Sequence, residues 1–218
     1  MGKSRPHVIL NAATSIDGKL STKTGESKFS SVQDLKRVHR LRNKVDAILI
    51  GTNTLKIDNP TLSVRHVKGK NPIRIILDSN GLISSNSKII KTCNTIPTIV
   101  VVSRKISKKN LKRLESFCLE VIKSGKNKIN LKLLLELLYK KGINTLLVEG
   151  GGKINWEFIK HGCFDEVIIT ITPYLIGGES AVSLVDGKGF KKITRSMKLN
   201  LDSVQHQGNE VVLKYSKL

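Results

Sequence analysis

Apolar positions along the chain follow two rhythms. Runs of strand length, rich in β-branched residues, occupy 7–13 (HVILNAA), 45–50 (VDAILI), 73–77 (IRIIL), 97–102 (PTIVVV), 145–148 (TLLV), 166–171 (EVIITI), 197–204 and 210–215. Between several of them the apolar spacing lengthens to three or four. Residues 32–43 carry Leu35, Val38 and Leu41 on one stripe that continues to Val45, with Ser31 and Asp34 in a capping arrangement. Residues 107–117 and 130–140 repeat the pattern, the second with Leu131, Leu134, Leu135 and Leu138 together. A shorter helix is expected over 152–161, after three glycines. Strands alternating with helices predict an α/β fold with a mainly parallel, buried central sheet. The last two strands have no helix between them, only Gln205–Asn209, and predict an antiparallel hairpin at the C-terminal edge. The sheet is therefore mixed. No linker or repeat divides the chain, so residues 1–218 are expected to form a single domain.

Composition narrows the function. With 218 residues, 39% of them hydrophobic, the chain can bury a substantial core. No apolar run is long enough to span a bilayer. The basic start, Met1-Gly2-Lys3-Ser4-Arg5-Pro6, is followed by too short an apolar stretch for a signal peptide, and Pro6 breaks the myristoylation pattern. A cytoplasmic protein with no membrane partner is expected. Cys93, Cys118 and Cys163 are widely spaced, and the five histidines lack metal-ligand spacing, so neither a disulfide framework nor a metal site is expected.

The charge changes the picture more. Lysine and arginine number 38 against 17 acids, and 12 basic against 3 acidic residues fall between Arg104 and Lys141. Such a surface suits polyanions or phosphorylated small molecules. Nucleic acid is the remote alternative: aromatic residues make up only 4%, and no nucleic-acid-binding signature appears. A solvated lysine-rich face explains the same excess.

Three segments could carry chemistry. Val148-Glu149-Gly150-Gly151-Gly152-Lys153-Ile154-Asn155 ends a strand and opens a helix, where backbone N–H groups and the helix terminus suit a phosphate. The dinucleotide fingerprint is not met, because its third glycine would fall at Asn155. A tight turn explains the glycines equally well, whereas Glu149 stands where open α/β sheets place ligands. Asn11 to Lys19 runs from a strand into Asp17-Gly18, a turn signal. Gly51 to Arg65 runs from a strand into a short hydroxyl-rich helix that Asp58-Asn59-Pro60 stops, followed by Leu62 and Arg65; Thr54 and Asp58 share one face of that helix.

Taken together these segments resemble the riboflavin-biosynthesis reductases. That family includes stand-alone archaeal and fungal enzymes and the reductase half of bacterial bifunctional deaminase-reductases. The matching stretches are TSIDGKLSTKTGES (14–27), AILIGTNTLKIDNPTLSVR (47–65), PIRIILDS (72–79), LLVEGGG (146–152) and DEVIITITPYLIGG (165–178). The resemblance implies a dihydrofolate-reductase-like fold and NADPH-dependent reduction of a ribosylaminopyrimidine 5′-phosphate to its ribitylamino counterpart, with NADH as a possible substitute cofactor. It implies cofactor contacts at Phe29, Thr54, Asp58, Ser79, Gly151, Gly152, Lys153 and Ile154. It implies substrate contacts at Asn11, Ser27, Arg42, Leu62, Arg65 and Glu149. Glu149 and Asp17 are the acids in matched motifs to which proton transfer can be assigned, and Ser79 with Arg104 or Lys105 is the set for a cofactor 2′-phosphate. The bacterial pattern has lysine at Asn11, whereas the archaeal and fungal branch looks like asparagine there. That branch reduces before deamination, so the expected substrate is 2,5-diamino-6-(ribosylamino)-4(3H)-pyrimidinone 5′-phosphate. No zinc-deaminase signature accompanies it. The alternatives are reduction of the deaminated substrate and a pterin- or folate-type reductase of the same fold. The resemblance also implies a homodimer.

Overall fold

A computed structural model describes residues 4–218; the first three residues of the basic N-terminus lie outside the described residues. The chain divides into two compact units, each built from two stretches of sequence: residues up to 7 with 39–147, and residues 8–38 with 148–218.

Unit 1 contains β2 (Ala47–Gly51), α2 (Thr52–Asp58), β3 (Ile73–Leu77), α3 (Lys88–Lys91), β4 (Thr98–Val102), α4 (Lys108–Glu115), β5 (Glu120–Lys123), α5 (Leu131–Lys140) and most of β6 (Thr145–Val148). Its strands lie in the order β5-β4-β3-β2-β6. Pairing is parallel, with Ala47 opposite Ile73, Arg74 opposite Thr98 and Ile99 opposite Glu120. β2 and β4 are buried along their whole length, which is why they read as unbroken apolar runs rather than alternating ones. Leu131, Leu134, Leu135 and Leu138 of α5 are buried as their spacing predicts. Ser107 and Asn130 cap α4 and α5 by accepting the N–H of Asn110 and Leu133.

Unit 2 holds β1 (His7–Thr14), the first half of α1 (Val32–Lys44), α6 (Gly152–Lys160), β7 (Glu166–Ile171), β8 (Leu199–Gln207) and β9 (Glu210–Lys217), with one 3₁₀ turn at Ile193–Arg195. The strand order is β1-β7-β9-β8. β1 and β7 are parallel, while β9 is antiparallel to both β7 and β8. Ser31 caps α1 as expected, its Oγ accepting the Asp34 N–H at 3.1 Å.

The mixed, mainly parallel arrangement with an antiparallel C-terminal hairpin is as expected. Three details differ. β5 was not anticipated, because EVIK offers only two apolar residues and owes its conformation to pairing with β4. α3 is a single turn, too short for a period to register. The hairpin loop is shorter than predicted: Gln205, His206 and Gln207 pair through their backbones with Val212, Val211 and Glu210, leaving a turn of Gly208 and Asn209. Gly208 takes a φ of +60°, which a glycine adopts at little cost.

Candidate active site

In unit 1 the carboxyl ends of β2, β3 and β4 gather a polar rim, where open α/β sheets place ligands. Thr52, at the start of α2, donates its hydroxyl to Leu77 O at 3.1 Å. Thr54 is half-buried one turn on, and Asp58 is the exposed last residue of α2. Ser79 follows β3, and its carbonyl accepts both the N–H and the hydroxyl of Ser103, each at 3.0 Å. Arg104 and Lys105 come next and are exposed. Hydroxyls and free-reaching cations on one rim form a donor set that fits the phosphate and ribose oxygens of a nicotinamide dinucleotide.

The segment Thr61 to Arg65 is the second feature of unit 1. Arg42 Nη1 donates to Ser63 O at 3.2 Å, Arg65 Nη1 donates to Thr61 Oγ1 at 3.1 Å, and Arg74 Nη1 donates to Thr61 O at 3.2 Å. The Arg65 N–H donates to Nδ1 of the buried His39 at 2.8 Å. The structure thus brings Arg42 to the five-residue stretch that carries Arg65. Leu62 is 2% exposed, its side chain packed in the core, and it takes a left-handed φ of +52°, so what it presents outward is its backbone.

Arg74 went unnoticed in the sequence. It is fully buried, and its guanidinium donates to Thr98 Oγ1, Thr92 Oγ1, Ile89 O and Ile96 O as well as Thr61 O. Burial without a carboxylate partner pulls its pKa down from 12.5 to about 10, so it remains charged at neutral pH. His39 was also missed. Its ring meets His66 edge-on at 4.6 Å, and it fixes the backbone of Arg65.

In unit 2, Asp17 sits in a tight loop. Its carboxylate accepts the N–H groups of Ile176 and Gly177 at 3.0 and 2.7 Å, and the Ser15 hydroxyl at 2.7 Å. The Ile176 N–H, then Ser15, then the Gly177 N–H hold its pKa down at about 2. Further backbone bonds run from Ile16 to Tyr174, from Leu20 to Val182 and from Leu184 to Gly18. Asp17 therefore fastens the 15–20 loop to residues 174–184.

The triglycine bend is explained chiefly by close approach. Gly150 and Gly151 both lack a positive φ. A Cβ on Gly150 would lie 2.6 Å from Ile154 Cβ, and one on Gly152 would lie 2.3 Å from Ser183 O and 2.6 Å from Asp186 Oδ2. The bend still presents a helix terminus that no side chain caps, with Lys153 exposed and Gly151 and Ile154 half-buried. Glu149 is half-buried between the strand end and this bend. Phe29 meets Tyr174 with ring centroids 6.3 Å apart, and its N–H donates to the carbonyl of the half-buried Ser27. Asn11, mid-β1, is buried, and its Oδ1 accepts from Arg37 Nη2 at 3.1 Å.

Comparisons with known proteins place the chain in a family. Residues 6–213 match the family described as RibD C-terminal domain. A 2,5-diamino-6-ribosylamino-4(3H)-pyrimidinone 5′-phosphate reductase of Methanothermobacter thermautotrophicus is 37% identical over 215 residues, covering 97% of this chain and 98% of that protein. A solved diaminohydroxyphosphoribosylaminopyrimidine deaminase/5-amino-6-(5-phosphoribosylamino)uracil reductase of Thermotoga maritima superposes with a TM-score of 0.81 at 26% identity. That match covers 98% of this chain and 57% of the other, so the chain spans little more than half of the bifunctional protein. Dihydrofolate reductase from Enterococcus faecalis, at 12% identity and a TM-score of 0.54 over 97% of this chain, shares the fold alone. A match that begins before β1 and ends within β9, with a stand-alone reductase of nearly equal length among the relatives, makes the chain a member of the RibD C-terminal domain family.

Proposed function

We propose that the chain reduces 2,5-diamino-6-(ribosylamino)-4(3H)-pyrimidinone 5′-phosphate to its ribitylamino product in riboflavin biosynthesis, with NADPH as cofactor. The observation that carries this reading is near-complete mutual coverage with an enzyme bearing that name. The rim at Thr54, Asp58, Ser79, Arg104 and Lys105 would hold the adenosine and phosphate side of the cofactor. In unit 2, Phe29 and the turn from Gly151 to Ile154 are the residues that the family resemblance assigns to the cofactor, the turn offering an uncapped helix terminus. When bound, NADPH supplies the hydride. The cations at Ser79 support NADPH over NADH, because a 2′-phosphate is the feature they would recognise.

Of the residues that the family resemblance assigns to the substrate, Arg42 and Arg65 have the chemistry for a phosphate, and Asn11, Ser27 and Glu149 that for hydroxyl, carbonyl or amino groups. Opening the ribosylamine ring breaks the C1′–O4′ bond, which needs a proton at the ring oxygen and loss of one from the attached nitrogen. Asp17 is a poor agent for this, since backbone N–H groups keep it ionised down to about pH 2; we assign it to loop positioning. Glu149 is left as the acid for that exchange. Glu149→Gln is expected to lower kcat roughly 100-fold or more while changing NADPH affinity little. Equal losses in both, by stopped-flow turnover and fluorescence titration, would move Glu149 to the cofactor side.

We further propose that residues 1–218 act as one reductase domain, which the single family match over 6–213 supports. We propose a cytoplasmic homodimer. β8 supports the dimer, being exposed along nearly its whole length with Leu201 and Val204 open to solvent. Among the described residues no helix is long and apolar enough to cross a membrane. The test of function is to supply NADPH with the diaminopyrimidine substrate and with its deaminated form in separate reactions, and to weigh the products. A product two hydrogens heavier from the first substrate supports the reading. Reduction of the deaminated form alone would reverse the order of steps, and no reduction of either would overturn the proposal.

A further inference from the structure

One buried polar network in unit 2 stands behind Asn11, a residue assigned above to the substrate. Asn11 lies opposite Ile168 in the β1–β7 pairing and is 7% exposed. Arg37 of α1 donates through Nη2 to Asn11 Oδ1 at 3.1 Å and to Thr170 Oγ1 of β7 at 3.0 Å, and through Nε to Asp34 Oδ1 at 2.8 Å. Thr170 in turn donates to Asp34 Oδ1 at 2.7 Å. Asp34 is 1% exposed, and its N–H is capped by Ser31, whose own N–H and hydroxyl are gripped by the Glu210 carboxylate. Arg37 is thus held at two points, Asp34 and Thr170, besides its bond to Asn11.

A guanidinium offers donors only. The Asn11 amide therefore has one orientation open to it, with the oxygen toward Arg37 and the NH₂ group turned away. That Nδ2 has no protein partner among the described residues. It is also not one of the sealed, unpartnered atoms there, which are Asp34 Oδ2 and Asn155 Oδ1. We infer that Arg37 is a positioning residue that locks Asn11 as a hydrogen-bond donor, so that Asn11 recognises an acceptor oxygen of the substrate, on its sugar, its phosphate or the carbonyl of its base, and not an amino group of the base. This rests on the assignment of Asn11 to the substrate made above.

The discriminating variant is Asn11→Asp, which keeps the oxygen that Arg37 needs and removes the donor. In the full chain, with the diaminopyrimidine substrate and NADPH, its KM for that substrate should rise roughly 30-fold. NADPH affinity should stay within about threefold, and the melting temperature should move little. Arg37→Lys keeps a charge beside Asp34 but cannot reach both partners; its substrate KM should rise about tenfold with kcat nearly unchanged, a split that a merely structural role would not give. Repeating the Asn11→Asp comparison with the dephosphorylated substrate separates the phosphate from the other oxygens. A penalty that persists places the contact on the sugar or the base carbonyl, and one that vanishes places it on the phosphate. A wild-type KM in Asn11→Asp overturns the inference, as does one in Arg37→Lys. A wild-type chain that neither binds nor reduces the substrate overturns the functional reading, and this inference falls with it.

Discussion

The segments Thr61–Arg65 and Ser15–Lys19 are both short and irregular, yet they are held by opposite charges. Arginines hold the first: Arg42, Arg65 and Arg74 donate to its carbonyl and hydroxyl oxygens. A carboxylate holds the second, Asp17 taking N–H groups from Ile176 and Gly177. The consequence is electrostatic. Arg74 is fully buried among uncharged acceptors, so its positive charge is solvated but not cancelled. Asp17 spends its negative charge on backbone dipoles within the loop. An anion is therefore favoured at the first segment. The second is an anchored loop, with its ionised group already satisfied.

The largest expected effect comes from removing the buried cation. Arg74→Met leaves Thr61 O, Ile89 O and Ile96 O short of donors, and should cost roughly 3 kcal/mol or more in urea unfolding. A loss below about 1 kcal/mol would mean that the arginine does not organise this segment. Gly152→Ala is the counterpart in unit 2, since its Cβ would strike the backbone at Ser183, next to residues bonded to the 15–20 loop. It should cost about 1–3 kcal/mol, read from the shift in thermal midpoint. Asp17→Asn has the smallest effect at neutral pH and the most telling dependence on pH. The folded pKa of Asp17, about 2, lies below its ordinary 3.8. The ionised group therefore contributes its full stabilisation above the ordinary value and loses it as pH falls through the folded one. The difference in melting temperature between wild type and Asp17→Asn should be constant from neutral pH to just above 4 and shrink toward pH 2. A difference that peaked in acid would contradict the anchoring role.

Pattern made legible what pattern controls. The buried strands β2, β3 and β4 and the leucine stripe of α5 stood out because each buries many residues at a fixed period. β5 did not, being an edge strand with a single buried residue, Ile122. At the site, Arg42 and Arg65 were legible through the resemblance, and the structure brings both to one segment. Arg74, Arg37 and His39 were not. Among 38 lysines and arginines, nothing local distinguishes one that is buried from one that is solvated, because burial depends on β3 pairing with β4 and on what α1 packs against. The glycines left two readings open, a tight turn or a phosphate site, and could not show the close approach of Ile154 and of the backbone at Ser183 that requires Gly150 and Gly152.

The contrast between the two segments is tested most directly by pairing Arg65→Ala with removal of the substrate's phosphate. Arg65 is exposed and leaves the core untouched, so its loss reads recognition rather than folding. With the phosphorylated diaminopyrimidine and NADPH, kcat/KM should fall roughly 10- to 150-fold, the worth of charge-assisted hydrogen bonds to an anion. With the dephosphorylated substrate, wild type and Arg65→Ala should become equal. The same fold-loss on both substrates, or none on either, would contradict the assignment of the phosphate to the arginine-held segment.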